Sequence, residues 1–264
     1  MSITAIVFPF DLYGSPGTRL GAENLGDALR EMRSDARAET QPARSQAYRD
    51  RLKIVEIPFE TLKQYRSWLA RGKKLFAKQE KTFPIWLSGN HLGVLPVYES
   101  LPADTLVLQF DAHLDIFNLA GCTEELSHGN FVMHAKPCPK LINLGHRDLF
   151  LPTDHINKYY SDTFSSLELT ARPESSAKKL SKLVQSAKKI WIDIDCDVFD
   201  PAYLPAVAQP EPMGLSPLAV VGLLEAVWSK KVMGISFSEY LPARDDNDCS
   251  LAALCWMLEW VLVR

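Results

Sequence analysis

Short runs of consecutive apolar residues alternate along this chain with longer stretches in which apolar residues recur at helical spacing. The first kind predicts strands at Ile3–Phe8, Pro84–Leu87, Thr105–Phe110, Leu141–Leu144, Lys189–Ile194 and Lys231–Phe237. The second predicts helices at Gly21–Arg33, Glu60–Gln79, His91–Leu101, Ser175–Ser186, Ser216–Ser229 and Ser250–Val263. Ser216-Pro217 is a helix start in its own right, a hydroxyl at the N-cap followed by proline at the first helical position. Strands that are apolar throughout, separated by helices, imply a mostly parallel sheet covered on both faces. The expected fold is α/β, doubly wound, in a single domain over residues 1–264. One stretch breaks the alternation. Ala36–Arg51 is polar, nearly devoid of large apolar residues and contains Pro42; it reads as a surface loop, with a lid as the sharper alternative.

Composition narrows the class. An apolar fraction of 47% supports one large core. A net charge of −3 gives no electrostatic reason to expect nucleic acid or an anionic membrane as partner. The basic residues between Lys63 and Lys81 (Arg66, Arg71, Lys73, Lys74, Lys78) fit a solvated helix face. Five cysteines with no C-x-x-C pair are expected to be free thiols in a reducing compartment. The N-terminal MSITAIVFPF has no basic leader and meets Asp11 early, so no signal peptide is expected. The longest apolar run, near the C-terminus, is interrupted by Glu259, and no membrane span is expected. A cytoplasmic location follows as the expectation.

The chemistry lies in what directly follows the strands, because ligands of parallel sheets bind at the strands' carboxyl ends. Pro84–Leu87 leads to Ser88, Gly89, Asn90 and His91; Thr105–Phe110 leads to Asp111, His113 and Asp115. Lys189–Ile194 leads to Asp195, Asp197 and Asp200, and Lys231–Phe237 to Ser238 and Glu239. Apolar strands running into unpaired carboxylates make poor structural sense unless a cation neutralises them. Four acids (Asp111, Asp115, Asp195, Asp197) and two imidazoles (His91, His113) would leave one divalent ion outnumbered, whereas two ions balance them. Mixed imidazole and carboxylate ligation suits Mn²⁺, with Zn²⁺, Fe²⁺ or Co²⁺ as alternatives. Two such ions close together provide a hydroxide nucleophile at neutral pH.

Taken together, the motifs SGNH (Ser88–His91), DAHLD (Asp111–Asp115), DCDVFDP (Asp195–Pro201) and SEYLP (Ser238–Pro242) resemble those of the arginase, or ureohydrolase, family. His128-Gly129 and Gly145–Asp148 match two further family motifs, and the likeness runs from about Phe10 to the C-terminus. The resemblance implies a three-layer α/β/α fold with a binuclear manganese site. His91, Asp111, Asp115 and Asp195 would hold one ion, and Asp111, His113, Asp195 and Asp197 the other, with Asp111 and Asp195 shared. Asp115 would also orient the nucleophile, Glu239 would pair with a substrate guanidinium, and His128 would carry protons to the leaving amine. Asp200 reads as a turn-fixing residue and Asp193 as a strand or supporting acid, while His134, His146 and His155 match no ligand position.

The departures concern substrate. Asn90 stands where the family has Asp, which weakens support for His91. Where arginases grip the charged α-groups of free arginine, this chain has Phe117, Cys122 and Glu124, with Asn118 one place along, and Phe150 replaces a later acid. An apolar mouth cannot satisfy a zwitterion. The resemblance is strongest to the small peptide arginases, which convert arginine residues to ornithine and release urea. A hydrolase of a free guanidino or formimino compound, such as agmatine, is the second reading, and a non-catalytic metal-binding interaction protein the third. A one-metal deacetylase fits poorly with the paired acids. Ending at Arg264 directly after its last helix, the chain is expected to lack the tail that larger arginases place between subunits, and its oligomeric state stays open.

Overall fold

In a computed structural model, which describes residues 2–117 and 125–264, eight strands form one sheet in which every neighbouring pair is parallel. They are β1 (Ile3–Phe8), β2 (Leu52–Glu56), β3 (Phe83–Ser88), β4 (Thr105–Phe110), β5 (Lys140–His146), β6 (Tyr160–Ser165), β7 (Lys189–Asp195) and β8 (Val232–Ser238). Their order across the sheet is β2-β1-β3-β8-β7-β4-β5-β6. The six strands expected from the apolar runs are all present, each within two residues of its expected bounds.

The central strands are buried on both faces, and their side chains divide by alternation. Ile3, Ala5 and Val7 of β1 join one core layer, beneath the helices Arg19–Ser34, Pro173–Gln185, Pro217–Val227 and Cys249–Leu262. Ile6 and Phe8 join the other, with Trp86, Val107 and Trp191, under shorter helices that include Trp68–Phe76 and Leu95–Tyr98. This is the expected three-layer α/β/α arrangement. Ser216 caps its helix by accepting from the Ala219 amide at 3.1 Å.

Sequence pattern and structure part company in a few places. The stretch Glu60–Gln79 is not one helix. It breaks at Ser67, whose hydroxyl donates to the Lys63 carbonyl at 2.8 Å, and continues as Trp68–Phe76 and a 3-10 turn. His91–Leu101 likewise begins as a 3-10 turn, His91–Val94, before the helix Leu95–Tyr98. Edge strands β2 and β6 escaped the apolar pattern because both are half exposed, LKIVE and YSDTFS.

The lid reading of Ala36–Arg51 is corrected. The helix Arg19–Ser34 carries the chain back from the carboxyl ends of the strands, so this segment lies at the opposite edge, feeding β2. There the Ile3 amide donates to the Arg51 carbonyl at 2.7 Å. Its short helix Arg44–Tyr48 is pinned to the last helix: Arg44 donates twice to Glu259 (2.7 and 3.1 Å), and the Tyr48 hydroxyl donates to the same carboxylate. It cannot cover a site at the carboxyl edge. Cys138, Cys196, Cys249 and Cys255 are free, whereas Cys122 lies outside the described residues. Among the described residues, no helix is long and apolar enough to cross a membrane.

Candidate metal centre and substrate cavity

Four central strands, β3, β8, β7 and β4, deliver the expected acids and imidazoles to one place. Gly89 makes the turn after β3 feasible, since a Cβ there would sit 2.3 Å from the Phe10 carbonyl oxygen. The next residues bring His91 inward, with its ring edge-on to Phe131. His91 Nδ1 lies 2.8 Å from Asp115 Oδ2, 3.1 Å from Asp195 Oδ2 and 3.2 Å from Asp111 Oδ2. His113 Nδ1 lies 3.0 Å from Asp197 Oδ2 and 3.7 Å from Asp111 Oδ1.

Two groups therefore form, His91/Asp111/Asp115 and Asp111/His113/Asp197, each with its donor atoms within 4.8 Å of one another. Asp111 belongs to both, one oxygen facing each imidazole. Asp195 approaches His91 through Oδ2, while its Oδ1 accepts from the Asp197 amide at 2.9 Å.

Burial and charge test whether a cation suits this place. Asp111, Asp115, Asp195 and Asp197 are all at most 5% exposed. Burial and the neighbouring acids push the Asp111 and Asp195 carboxyls above the ordinary range. Asp197 is also buried, yet the His113 imidazole holds it below. Burial works against protonation of His91 and His113, and the carboxylates facing them overcome it, so both imidazoles are raised. His91 Nδ1 and Asp115 Oδ2 are buried without a hydrogen-bond partner although they face one another. Lone pairs aimed at a shared point, with surplus negative charge around them, are the donor set a divalent cation requires. Backbone conformation adds to the case. Asp115 (φ 50°) and Glu239 (φ 65°) are non-glycine residues in the left-handed region, a strain of about 1–3 kcal/mol each that tends to collect at functional sites.

A supporting layer holds these groups. Asp193, fully buried in β7, accepts from Tyr98 at 2.6 Å and from Ser236, and lies 2.9 Å from His91 Nε2. That contact leaves Nδ1 facing the carboxylates. Asp193 is thus the supporting acid expected from its place in the strand, and His91 owes its orientation to it rather than to Asn90. Gln109 donates to Asp111 Oδ2 at 3.0 Å and itself accepts from the Tyr160 hydroxyl. Asn143 donates to the His113 carbonyl at 2.9 Å. Glu211 Oε1 stands 3.3 Å from His113 Nε2. The Arg147 guanidinium donates to the carbonyls of Asp197, Val198, Phe199 and Glu211, tying the β7 turn to the loop that carries Glu211. Gln109 and Asn143 carried a signal, each a polar residue inside an apolar strand. Glu211 and Arg147 carried none for these roles, because their partners are distant in sequence. Asp200 fixes a turn as expected, accepting from the amides of Ala202 and Gly214. His155 bonds the Ile116 carbonyl.

The centre opens into a cavity of about 430 Å³. His91, His113, Asp115, Asp195 and Asp197 line it, with Glu239 and His128 beside them. Glu239, 3% exposed, accepts from the His91 amide at 2.8 Å, and its Oε1 is 3.4 Å from His128 Nδ1. Burial disfavours the His128 imidazolium, but Glu239 outweighs it and raises the pKa. Phe117 lines the wall, its ring 6.3 Å from His113. Phe150 is not brought in; it is 94% exposed and does not line the cavity. Asn118, Cys122 and Glu124 lie outside the described residues. Tyr13, Ser15 and Gln209, which no motif singled out, also line the cavity. Among the described residues no Lys or Arg does, and the stretch 118–124 contains none in sequence.

This chain is similar to known proteins along its whole length. It is 26% identical to putative agmatinase 3 of Schizosaccharomyces pombe across 92% of this chain, and 26% identical to a mitochondrial arginase of Medicago truncatula across 74%. Those alignments span 69% and 61% of the relatives' own lengths. The crystal structure of arginase from Bacillus subtilis superposes with a TM-score of 0.78 at 21% identity, covering 100% of this chain and 99% of that one, which speaks for the fold. The sequence model of the Arginase family matches residues 1–262, and with the fold and the order of motifs in agreement, the chain belongs to the arginase family.

Proposed function

We propose that this chain, as one arginase-like domain over residues 1–264, is a binuclear-metal hydrolase that releases urea from a guanidino group, acting on arginine residues within a peptide. The observation that carries the reading is the cavity itself. Its floor holds two imidazole–carboxylate groups sharing Asp111, its wall holds Glu239 beside His128, and among the described residues no Lys or Arg lines it. A guanidinium finds a carboxylate there, whereas the α-carboxylate of free arginine finds no Lys or Arg to receive it.

His91, Asp111, Asp115 and Asp195 would hold one ion, and Asp111, His113, Asp195 and Asp197 the other, with Mn²⁺ proposed for both. Bound divalent ions supply Lewis acidity and a nucleophile derived from water. The protein's own residues do the rest. Glu239 holds the guanidinium by a charge-assisted pair and sets its central carbon over the floor of the cavity. Asp115, whose Oδ2 is free of other hydrogen bonds, orients the attacking water. His128, kept protonated to higher pH by Glu239, delivers a proton to the leaving amine nitrogen as the carbon–nitrogen bond breaks. Urea and an ornithine residue result.

The second reading, a free guanidino compound such as agmatine, is favoured by the similarity to a protein named putative agmatinase across 92% of this chain. It too lacks an α-carboxylate. Urea release from free arginine, agmatine and an arginine-containing peptide, each with and without Mn²⁺, tests both readings. The peptide reading expects a loss of about 42 Da per converted arginine, the small-molecule difference between arginine and ornithine when urea leaves hydrolytically. Free arginine turned over as efficiently as any peptide refutes it, and turnover of agmatine alone selects the second reading.

A further inference from the structure

We propose that Tyr13 is a specificity-determining residue, its ring set at the cavity mouth to pack against the part of the substrate beyond the guanidinium, and that Asn90 positions the loop that carries it. Tyr13 lines the cavity and is 62% exposed, yet its backbone adopts φ 60°, a conformation unusual for an aromatic residue. Core packing does not account for that cost, because most of the side chain faces solvent. The loop around it is built rather than loose. The Gly17 amide donates to Asp11 at 2.8 Å, and Thr18 Oγ1 donates to the Ser15 carbonyl at 2.7 Å. The His128 amide donates to the Tyr13 carbonyl at 3.1 Å, and Asn90 Nδ2 to the Leu12 carbonyl at 2.9 Å. The Tyr13 ring also rests 6.5 Å from Phe10, which is stacked on Trp68 at 4.4 Å.

The bond from Asn90 gives a reason for the departure from the family motif at that position. A carboxylate has no proton to donate to the Leu12 carbonyl and would repel it; an amide ties the loop down. Gly14 completes the fit. A Cβ there would lie 2.6 Å from Asn90 Nδ2 and 2.8 Å from the His128 ring, so the loop lies directly against the proposed proton carrier. Among the described residues, Tyr13 and Phe117 thus bring phenyl rings to the wall of a cavity whose floor is acidic. Rings at that height suit methylenes or an amide plane, not a charged α-carboxylate. The ligand class is an arginine derivative that presents no free α-carboxylate.

The inference rests on the hydrolase reading only for its kinetic form. Mn²⁺-loaded wild type, Tyr13→Ala, Tyr13→Phe and Asn90→Asp are compared on methylguanidine, which ends at the guanidinium, and on N-acetyl-argininamide, which extends past it. Tyr13→Ala should raise KM for N-acetyl-argininamide on the order of tenfold, the scale of one lost aromatic contact. Its kcat should stay within about threefold, and methylguanidine should be unaffected within about twofold on the same scale. Tyr13→Phe should behave as wild type. Asn90→Asp should shift KM in the same sense as Tyr13→Ala with metal content unchanged. Equal effects of Tyr13→Ala on both probes, or none on either, overturn the inference. If wild type releases urea from neither probe, the hydrolase reading has failed on its own. Calorimetric Kd values for the same pair then decide about Tyr13: selective weakening of N-acetyl-argininamide supports the inference, and its absence ends it.

Discussion

Replacing Glu239 by glutamine removes one negative charge from the cavity wall and changes little else. The amide oxygen of Gln can still accept from the His91 N–H, the bond that Glu239 makes at 2.8 Å. The proposed metal donors therefore keep their places. What is lost is attraction for a guanidinium. Two unit charges about 4 Å apart at an effective dielectric near 20 attract by about 4 kcal/mol, and a neutral hydrogen bond from Gln recovers part of that. A net loss of about 2–4 kcal/mol predicts a fall in kcat/KM of roughly 30- to 1000-fold. A second consequence follows from His128, whose pKa Glu239 raises against burial. With that partner neutral, the imidazolium deprotonates at lower pH. Where protonated His128 is needed, activity is lost as pH rises through its pKa, so the alkaline limb of kcat should move toward acid. The assay is urea release across pH on the preferred substrate, with elemental analysis of the same samples. Loss of metal from Glu239→Gln would mean that the acid is a ligand rather than a substrate group. Activity within tenfold of wild type, with an unmoved alkaline limb, would refute the assignment altogether.

Other perturbations probe separate parts of the site. Active protein should contain about two divalent ions per chain if the carboxylates are balanced as proposed. Asp111→Ala should lose both ions and His91→Ala mainly one, and full activity with one tightly bound ion contradicts the binuclear reading. Asp193→Asn should leave the fold intact but weaken metal retention about 10- to 100-fold in a chelator competition, because it releases His91 Nε2; unchanged retention would remove Asp193 from its supporting role. Gly14→Ala should displace the His128 ring, 2.8 Å from the new Cβ, and lower kcat while metal content holds. An unchanged kcat there would show that His128 has room to spare or no part in turnover.

The central strands could be read directly because they are buried on both faces and so mostly apolar, as ITAIVF and TLVLQF are. The acids at their ends could be read because a parallel sheet places every carboxyl terminus at one edge, and Asp111, Asp115, Asp195 and Asp197 do meet there. Edge strands β2 and β6 carry polar residues on their exposed positions, and periodicity has no purchase on them. Ala36–Arg51 misled for a related reason. Its polarity is real, but Tyr48 and Arg44 spend themselves on Glu259, some 211 and 215 residues away in sequence. Partnerships of that span, like that of Arg147 with the carbonyls of 197–199 and Glu211, are fixed by topology and leave no local pattern.

The mouth of the cavity shows how such long-range ties alter a substrate argument. In sequence, the case against a zwitterion rests on Phe117 and Phe150. Arg147 is held by carbonyls of the β7 turn, and three residues farther on the chain has left the site, with Phe150 94% exposed. Phe117 stays at the wall, hydrogen-bonded through its amide to the Gly129 carbonyl at 3.1 Å, beside His128. Tyr13 supplies the second ring, from a loop with no motif of its own. Among the described residues, the cavity lining thus carries Phe117 and Tyr13, with Tyr13 standing where Phe150 was expected. A free arginine would carry its carboxylate past Glu239 and Glu125, with no Lys or Arg among the described lining residues to receive it. Like charges held that close repel, and the carboxylate gains nothing there to offset it. The discrimination expected against free arginine thus comes from what the wall does not offer, and placing a lysine at Gln209, a lining position, should improve the KM for free arginine relative to its amide. A mutant that favours both equally would show that the missing cation is not what excludes the zwitterion.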